Sequence, residues 1–226
     1  MPKKTYLRGI NLREANLEEA DLRRAYLEES DLRYANLKNA NLKEAYLKTA
    51  DLRGADLSEA DLRETYLEGA DLRGINFEKT DFRRSYFEGA NFENSKNLPK
   101  WLEKGLDKKG TFSKKKLINN IKEGFKNIEK ANLREADLKE YNLKNVNFKE
   151  AYLRRANLEG ADLREADLEG IDLKGGNLRK ANLKGADLRK ANLKGADLRD
   201  TNMEGVNYRG ANFEGVIRKD IVSLEI

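Results

Sequence analysis

The chain has 226 residues, of which 45 are Lys or Arg and 40 are Asp or Glu, and it contains no Cys and no His. Without cysteine there is no disulfide framework and no thiol chemistry, and without histidine the commonest general base and metal ligand is missing. The N-terminal sequence MPKKTYLRG lacks the apolar stretch of a signal peptide or a membrane span. We therefore expect a cytoplasmic protein outside the membrane, with no catalytic residues, metal site or cofactor.

A five-residue repeat is the first element of the chain. From Leu7 to Phe92 a large apolar residue occupies every fifth position, preceded by Asp or Asn and, one position earlier, by a small residue that is mostly Ala. The pattern resumes from Ile128 to Phe213. This period matches neither a helix nor a regular strand. It fits a chain that turns a corner once per unit, so that four units close a square coil of twenty residues.

Aromatic residues support a coil of this length. Tyrosine replaces Asp or Asn at intervals of twenty residues, which predicts a column of tyrosines on one outer wall. The predicted column consists of Tyr6, Tyr26, Tyr46, Tyr66 and Tyr86, and Tyr152 would continue it if the solenoid is uninterrupted. Four successive large positions predict a ring of aromatic side chains in the core, formed by Phe77, Phe82, Phe87 and Phe92.

The interruption between the two runs has the sequence features of helices. Pro99 can open a short helix, Ser113 can cap a second one and Gly124 can end it. We predict two short amphipathic helices that pack on the solenoid. The residues predicted to pack are Trp101, Leu102, Leu106, Leu117, Ile118, Ile121 and Phe125.

These features divide the chain into four segments. The repeat predicts a first solenoid part over residues 1–98, a helical insertion over 99–125, a second solenoid part over 126–215 and a C-terminal cap over 216–226. The last segment is rich in aliphatic residues and could cover the final coil. The N-terminal end has few residues before Leu7, so a second molecule could stack there.

The units ANLEE, ADLRR, ADLRG and ANLKG resemble the repeats of the pentapeptide repeat proteins. The resemblance implies an all-β solenoid, a right-handed quadrilateral β-helix, here of about nine four-sided coils with a small helical insertion. Family members differ in function. Some mimic DNA and bind DNA gyrase, whereas many others have no established biochemical role.

Charge is distributed unevenly along the chain. Residues 96–130 hold eleven Lys and four acidic residues, whereas the repeats together carry a net charge of about −2. Outward Arg residues such as Arg33 and Arg53 follow an Asp by two positions, which predicts self-neutralised surface networks. The insertion therefore holds the candidate partner-binding residues, which are Lys108, Lys109, Lys114, Lys115 and Lys116.

The functional prediction is a non-catalytic scaffold that binds an unidentified protein through a face of the solenoid or through the basic insertion. A homodimer through one solenoid end is a further option. Two alternatives stay open: a gyrase-interacting DNA mimic, and a nucleic-acid binder that uses the Lys-rich insertion. The first requires a strongly acidic surface, and the second requires free aromatic side chains for base stacking.

Overall fold

The computed structural model describes residues 5–218 of the chain. The protein consists of two compact units, Met1–Leu117 and Ile118–Ile226. The repeat builds most of both units, and two short helices lie in the sequence between the two runs of repeats. Within the described range no helix is long and apolar enough to cross a membrane.

Coils in each unit are joined by parallel β-bridges between residues twenty positions apart, such as Tyr6 with Tyr26 and Asn127 with Asn147. The ladders run from Tyr6 to Lys96 in the first unit and from Asn127 to Ile217 in the second, so each holds between four and five coils. One bridging residue per five-residue unit confirms the predicted coil of four units. The expected single stack of about nine coils stays a prediction.

Asp and Asn recur in the repeat because their side chains bind the turn that follows. The backbone N–H of Arg63 donates to Asp61 Oδ1 at 3.0 Å, and that of Arg13 donates to Asn11 Oδ1 at 3.0 Å. Such local bonds are the reason that Asx residues favour turns. The side chain before each large residue therefore fixes the corner after it.

Each corner is a tight turn, closed by bonds such as Ala15 N–H to Leu12 O at 3.1 Å. The residue before the small position has a positive φ, for example 59° at Glu14 and 59° at Arg24. The left-handed region costs a non-glycine residue about 1–2 kcal/mol, and the ladder bonds on both sides of the corner hold the residue there. Most of these corners carry Glu, Lys, Arg or Asn rather than glycine.

The large residue and the small residue of each unit point inward and fill the coil. In the middle of the first unit Leu27, Leu32 and Leu37 have no exposed surface. The four phenylalanines predicted as a core ring are buried, and the ring centroids of Phe77 and Phe82 are 5.0 Å apart. Their mutual angles are tilted or edge-on, as aromatic rings in contact prefer.

The two helices are α1, Lys100–Gly105, and α2, Lys114–Lys122. Between them the chain adds a strand to the edge of the first unit in the antiparallel direction, where Thr111 bridges Asn91. Phe92 N–H donates to Gly110 O at 2.8 Å, and Phe112 N–H donates to Ala90 O at 2.8 Å. This added strand covers the edge of the last coil on that side.

Glycine is required at two positions of this connection. A Cβ atom on Gly110, whose φ is +77°, would lie 2.6 Å from the backbone nitrogen of Glu93. A Cβ atom on Gly105 would collide with the ring of Phe112. Both glycines let the added strand approach the coil and α1 closely enough for its hydrogen bonds and ring contacts to form.

Aromatic residues of the connection close the apolar interior of the first unit. The ring centroids of Trp101 and Phe112 lie 6.4 Å and 6.2 Å from that of Phe87, in the last coil. Trp101, Leu102 and Phe112 are all buried. Both α1 and the added strand lie in the first unit, and the predicted boundaries of the insertion, residues 99 and 125, stay predictions.

The division between the two units falls within α2, between Leu117 and Ile118. In the second unit, the ammonium group of Lys122 lies 5.9 Å from the ring centroid of Tyr141. Of the predicted packing residues, Leu117 and Ile121 are buried, whereas Leu106, Ile118 and Phe125 are partly exposed. The ladder of the second unit extends to Ile217, which bridges Asp197. Residues 219–226 of the predicted cap lie outside the described residues.

Replacing Trp101 by Ala should lower the unfolding free energy of the first unit by about 3–5 kcal/mol, because the indole covers the ring of Phe87. Lys100→Ala, on the exposed side of the same helix, should change it by less than about 0.5 kcal/mol. Urea unfolding followed by circular dichroism measures both. Equal losses in the two variants would show that α1 does not close the unit.

Candidate interaction surfaces

Side chains fill the interior of the coils, so candidate interaction surfaces lie on the outer walls and in the connection between the two runs of repeats. In residues 5–218 there is no group of acidic side chains that could hold a metal ion. The DKKG sequence is a turn in which Asp107 Oδ1 accepts the N–H groups of Lys109 and Thr111 at 2.8 Å and 2.9 Å. Three surface features of the first unit then stand out: a stack of tyrosines, walls of Arg–Asp pairs and a lysine cluster.

We call the first feature the tyrosine wall; it consists of Tyr6, Tyr26, Tyr46, Tyr66 and Tyr86 on one side of successive coils. Neighbouring ring centroids are 4.7–4.9 Å apart, and the interplanar angle falls from 12° at the N-terminal pair to 1° at the last pair. Tyr6 is 71% exposed and the other four are partly exposed. The stack therefore presents ring edges in a regular row.

Backbone register imposes this stack. Coils repeat at about the spacing of paired β-strands, 4.7–4.9 Å, so identical residues twenty positions apart must lie face to face. Tyrosine has no acceptor that could replace the Asx bond of the other walls. At this wall, ring stacking takes the place of the side-chain bond that fixes the corners elsewhere.

Ion pairs between coils border the tyrosine wall. Arg24 binds Glu44 at 2.7 Å, and Lys48 lies 3.2 Å from Glu68. Glu28 and Glu68 occupy the column beside the rings, and one carboxylate oxygen of each, Oε2, is buried without a hydrogen-bond partner. A buried acceptor left unpaired costs about 1–3 kcal/mol, and more when it is charged. The wall thus contains two carboxylates whose hydrogen-bonding capacity is not met by the described residues.

Tyr152 lies in the second unit and is 7% exposed, with the Arg154 guanidinium 5.0 Å from its ring centroid. Its neighbour in the next coil is the buried Asp172, which accepts a bond from Arg154 Nε at 2.8 Å. The continuation of the tyrosine wall by Tyr152 stays a prediction.

The two walls that flank the tyrosine wall carry networks of Arg and Asp. Arg33 binds Asp31 through two nitrogens at 2.8 Å and 2.5 Å, and its Nε lies 3.6 Å from Asp51 of the next coil. Arg53 and Arg63 repeat this arrangement. These contacts confirm that the outward Arg columns are self-neutralised, and such pairs leave little free charge for phosphate groups.

The guanidinium groups also change the acidity of their partners. Hydrogen bonds from Arg23 lower the pKa of Asp21 from 3.8 to about 2, and Arg33 lowers the pKa of Asp31 from 3.8 to about 2. The pKa of Asp51 is lowered as well, first by its hydrogen bond from Arg53. All these carboxylates are therefore charged in the folded protein at neutral and mildly acidic pH.

The lysine cluster lies next to the tyrosine wall. Lys108 and Lys109 occupy the exposed turn after α1, and the Lys116 ammonium group donates to the carbonyl oxygen of Leu106. Lys114 and Lys115 open α2, and the Lys114 N–H donates to Glu88 Oε2 at 2.9 Å. Since Glu88 lies beside the last tyrosine of the wall, the predicted lysines adjoin that end of it.

The pentapeptide-repeat family model matches eight copies over residues 3–33, 30–69, 60–96, 131–170 and 166–205. The chain belongs to the pentapeptide repeat family. Proteins of this family form right-handed quadrilateral β-helices, in agreement with the four-unit coils. They are generally structural or interaction proteins rather than enzymes. No curated protein sequence gives a significant match.

Solved structures that resemble the chain are also pentapeptide repeat proteins. HetL, involved in heterocyst differentiation regulation in the cyanobacterium Nostoc sp. PCC 7120, is 28% identical over 94% of this chain and 86% of its own, with a TM-score of 0.38. QnrB1, a plasmid-mediated fluoroquinolone resistance protein, is 18% identical over 96% and 87%, with a TM-score of 0.40. Because both scores are below 0.5, the family assignment rests on the repeats.

Stability should decrease as the pH falls from about 4 towards 2. Asp21 and Asp31 have a pKa of about 2 in the folded protein, below the value of 3.8 expected when unfolded, so the unfolded chain takes up protons first. Their contribution is complete above pH 4 and is lost below it. Thermal unfolding at low salt measures this loss. The double variant Asp21→Asn/Asp31→Asn should be less stable at pH 7 and less sensitive to acid, and an unchanged pH profile would contradict the assignment.

Proposed function

We propose that the protein is a non-catalytic scaffold that binds another protein through the tyrosine wall. The observation that carries the proposal is the regular row of stacked, partly exposed tyrosine rings, bordered by the partly exposed side chains of Glu28 and Glu68. A cationic donor of a partner can pair with the exposed part of these carboxylates, and charge-assisted hydrogen bonds are about twice as strong as neutral ones. The partner is therefore a protein segment that carries Lys or Arg.

Rigidity of the wall supports this proposal. Tyrosine offers a large contact area with few rotatable bonds and is enriched at protein interfaces. In the stack each inner ring is held between two neighbours 4.7–4.9 Å away, so its side chain is already ordered before binding. Binding then costs less conformational entropy than it would at a surface of mobile side chains.

The lysine cluster would extend the same surface. Lys114 is joined to the wall through Glu88, and Lys109 and Lys116 act on the carboxylate of Asp107, whose pKa is lowered first by its backbone hydrogen bonds. Acidic side chains of the same partner could pair with these lysines. The mixed charge of the surface, with acceptors along the wall and lysines at one end, favours a protein partner over nucleic acid.

A DNA-mimicking role fits the charges less well. Residues 5–95 contain 14 basic and 19 acidic residues, a net charge of −5. Double-stranded DNA carries one charge per about 1.7 Å, so a solenoid of this length, roughly 23 Å, would replace about 13 phosphates. Residues 5–95 carry fewer than half of these charges, and Arg pairs neutralise many of their Asp residues.

The test is affinity capture from the source organism, with three forms of the protein immobilised. The variant Glu28→Gln/Glu68→Gln with Tyr46→Ala removes the two carboxylates and the middle of the stack. The matched control, Glu18→Gln/Glu78→Gln, makes the same change of charge on the opposite wall. We expect to capture a partner that the wild type and the control both retain. The wall variant should bind that partner at least about tenfold more weakly.

Two further assays test the alternatives. The first assay measures whether the protein inhibits or protects DNA gyrase during supercoiling. If the wild type and the wall variant both do so, the DNA-mimic function would replace the proposal. Salt-dependent DNA binding that is lost in Lys108→Glu/Lys109→Glu would replace it with nucleic-acid binding through the lysine cluster. Equal capture of the partner by the wall variant and the control would contradict the tyrosine wall as the binding surface.

A further inference from the structure

The tyrosine wall repeats along the solenoid axis at a fixed interval. Successive ring centroids from Tyr6 to Tyr86 are 4.7–4.9 Å apart, and the last three pairs of rings are within 3° of parallel. A partner segment that crosses the wall contacts only one or two rings, whereas a segment that runs along the axis contacts all of them. A segment along the axis is therefore the occupant that uses the repetition of the wall.

Charges beside the rings repeat at every second coil. The column next to the tyrosines contains Arg8, Glu28, Lys48 and Glu68 in successive coils, so the sign of the charge alternates. Arg8 binds Glu29 at 2.6 Å rather than Glu28, and Lys48 lies 3.2 Å from Glu68. Exposed ion pairs of this kind contribute little to stability, so a cation of the partner can join Glu68 as well. The two carboxylates lie two coils apart, at twice the ring spacing.

The polyproline II helix has a repeat that matches this double spacing. It has three residues per turn and rises about 3.1 Å per residue, so every third residue returns to the same edge after about 9.3 Å. Twice the ring spacing of 4.7–4.9 Å differs from this repeat by about 0.5 Å or less. An α-helix returns after about 5.4 Å, and alternate residues of a strand return after about 6.4–6.8 Å. Neither of these stays in register with the rings.

The backbone of a polyproline II segment also suits the polar groups of the wall. It has no internal hydrogen bonds, so its carbonyl oxygens can accept bonds from a partner. The stacked rings present their edges, which carry the positive part of the aromatic quadrupole, and each tyrosine hydroxyl can donate a hydrogen bond. Tyr46 and Tyr86 are two coils apart, so their hydroxyl donors recur at the same double spacing.

We propose that the occupant of the tyrosine wall is a proline-rich segment in the polyproline II conformation, with Lys or Arg at every third position. The segment lies along the solenoid axis with its carbonyl oxygens on the ring edges, and one edge of its helix directs the cations to Glu28 and Glu68. Proline fixes this conformation before binding, so the segment loses little conformational entropy. This inference rests on the proposed function and specifies the chemistry of its partner.

Lys48 makes the spacing of the cations selective. It lies between the two carboxylates in the column, so a partner with a cation at every coil would place one of them beside a like charge. Such contacts suppress binding in the wrong register. A basic segment without the three-residue period is therefore disfavoured, even at the same net charge.

The experiment measures binding of three fluorescent synthetic peptides to the full chain by fluorescence anisotropy. The first is a proline peptide with Arg at every third position. The second has the same composition with Arg at alternate positions, and the third has Ala in place of Pro. The first peptide should bind at least about tenfold more tightly than either of the others, because only it combines the spacing with a preformed conformation.

Variants of the wall assign the binding to the groups that the proposal names. Tyr46→Phe/Tyr86→Phe removes two hydroxyl donors and keeps the rings, so it should weaken binding of the first peptide by at least about fivefold. Tyr34→Phe removes an exposed hydroxyl outside the wall and should bind like the wild type. Glu28→Gln/Glu68→Gln should lose the preference for Arg at every third position. Equal affinity for the three peptides, or unchanged affinity in the Tyr46→Phe/Tyr86→Phe variant, would overturn the inference.

The capture experiment reports separately on the proposed function. The first peptide should displace the captured partner from the wild-type protein. A partner that depends on the tyrosine wall but is not displaced by this peptide would overturn the inference and leave the proposed function in place. A partner that the wall variant and its control capture equally would overturn the proposed function, and the inference with it.

Discussion

The hydrogen-bond register between coils is the constraint on which the rest of the structure depends. Each unit of the repeat pairs with the unit twenty residues later, and this spacing holds on every side of the coil. Register in a sheet decides which side chains face inward. Here it also aligns each outward residue with the residue at the same place in the next coil, so any residue type repeated at that interval becomes a column.

The columns differ because their aligned side chains interact with each other in different ways. Asp and Arg neutralise each other within a coil and between coils, as Arg53 does with Asp51 and Asp71. Tyrosines stack instead and leave the neighbouring carboxylates of Glu28 and Glu68 partly unsatisfied. One wall type satisfies its own polar groups, while the other retains hydrogen-bonding capacity. The regular row of partly exposed rings is the reason for assigning partner binding to the tyrosine wall.

At the end of a solenoid, the terminal coil has no neighbouring coil to pair with on one side. At the last coil of the first unit, the added strand and the rings of Trp101 and Phe112 cover the edge and the interior. At the first coil the interior is partly exposed around Leu7, Leu12 and Leu17. Among the described residues, the two ends of this unit are thus chemically unlike.

By itself the sequence determined the repeat, the four-unit coil, the inward and outward positions and the tyrosine column, because a strict period leaves one way to bury Leu and Ala together. It also located two short helices, from the proline, glycine and apolar spacing around α1 and α2. Only the tertiary structure decided that Thr111 pairs antiparallel with Asn91 and that Trp101 closes the core, since these contacts join segments without a common period. It likewise decided that Lys96 and Ile217 still belong to the ladder, because backbone pairing there does not require a large side chain. The unsatisfied oxygens beside the tyrosines depend on side-chain burial, which the repeat does not encode.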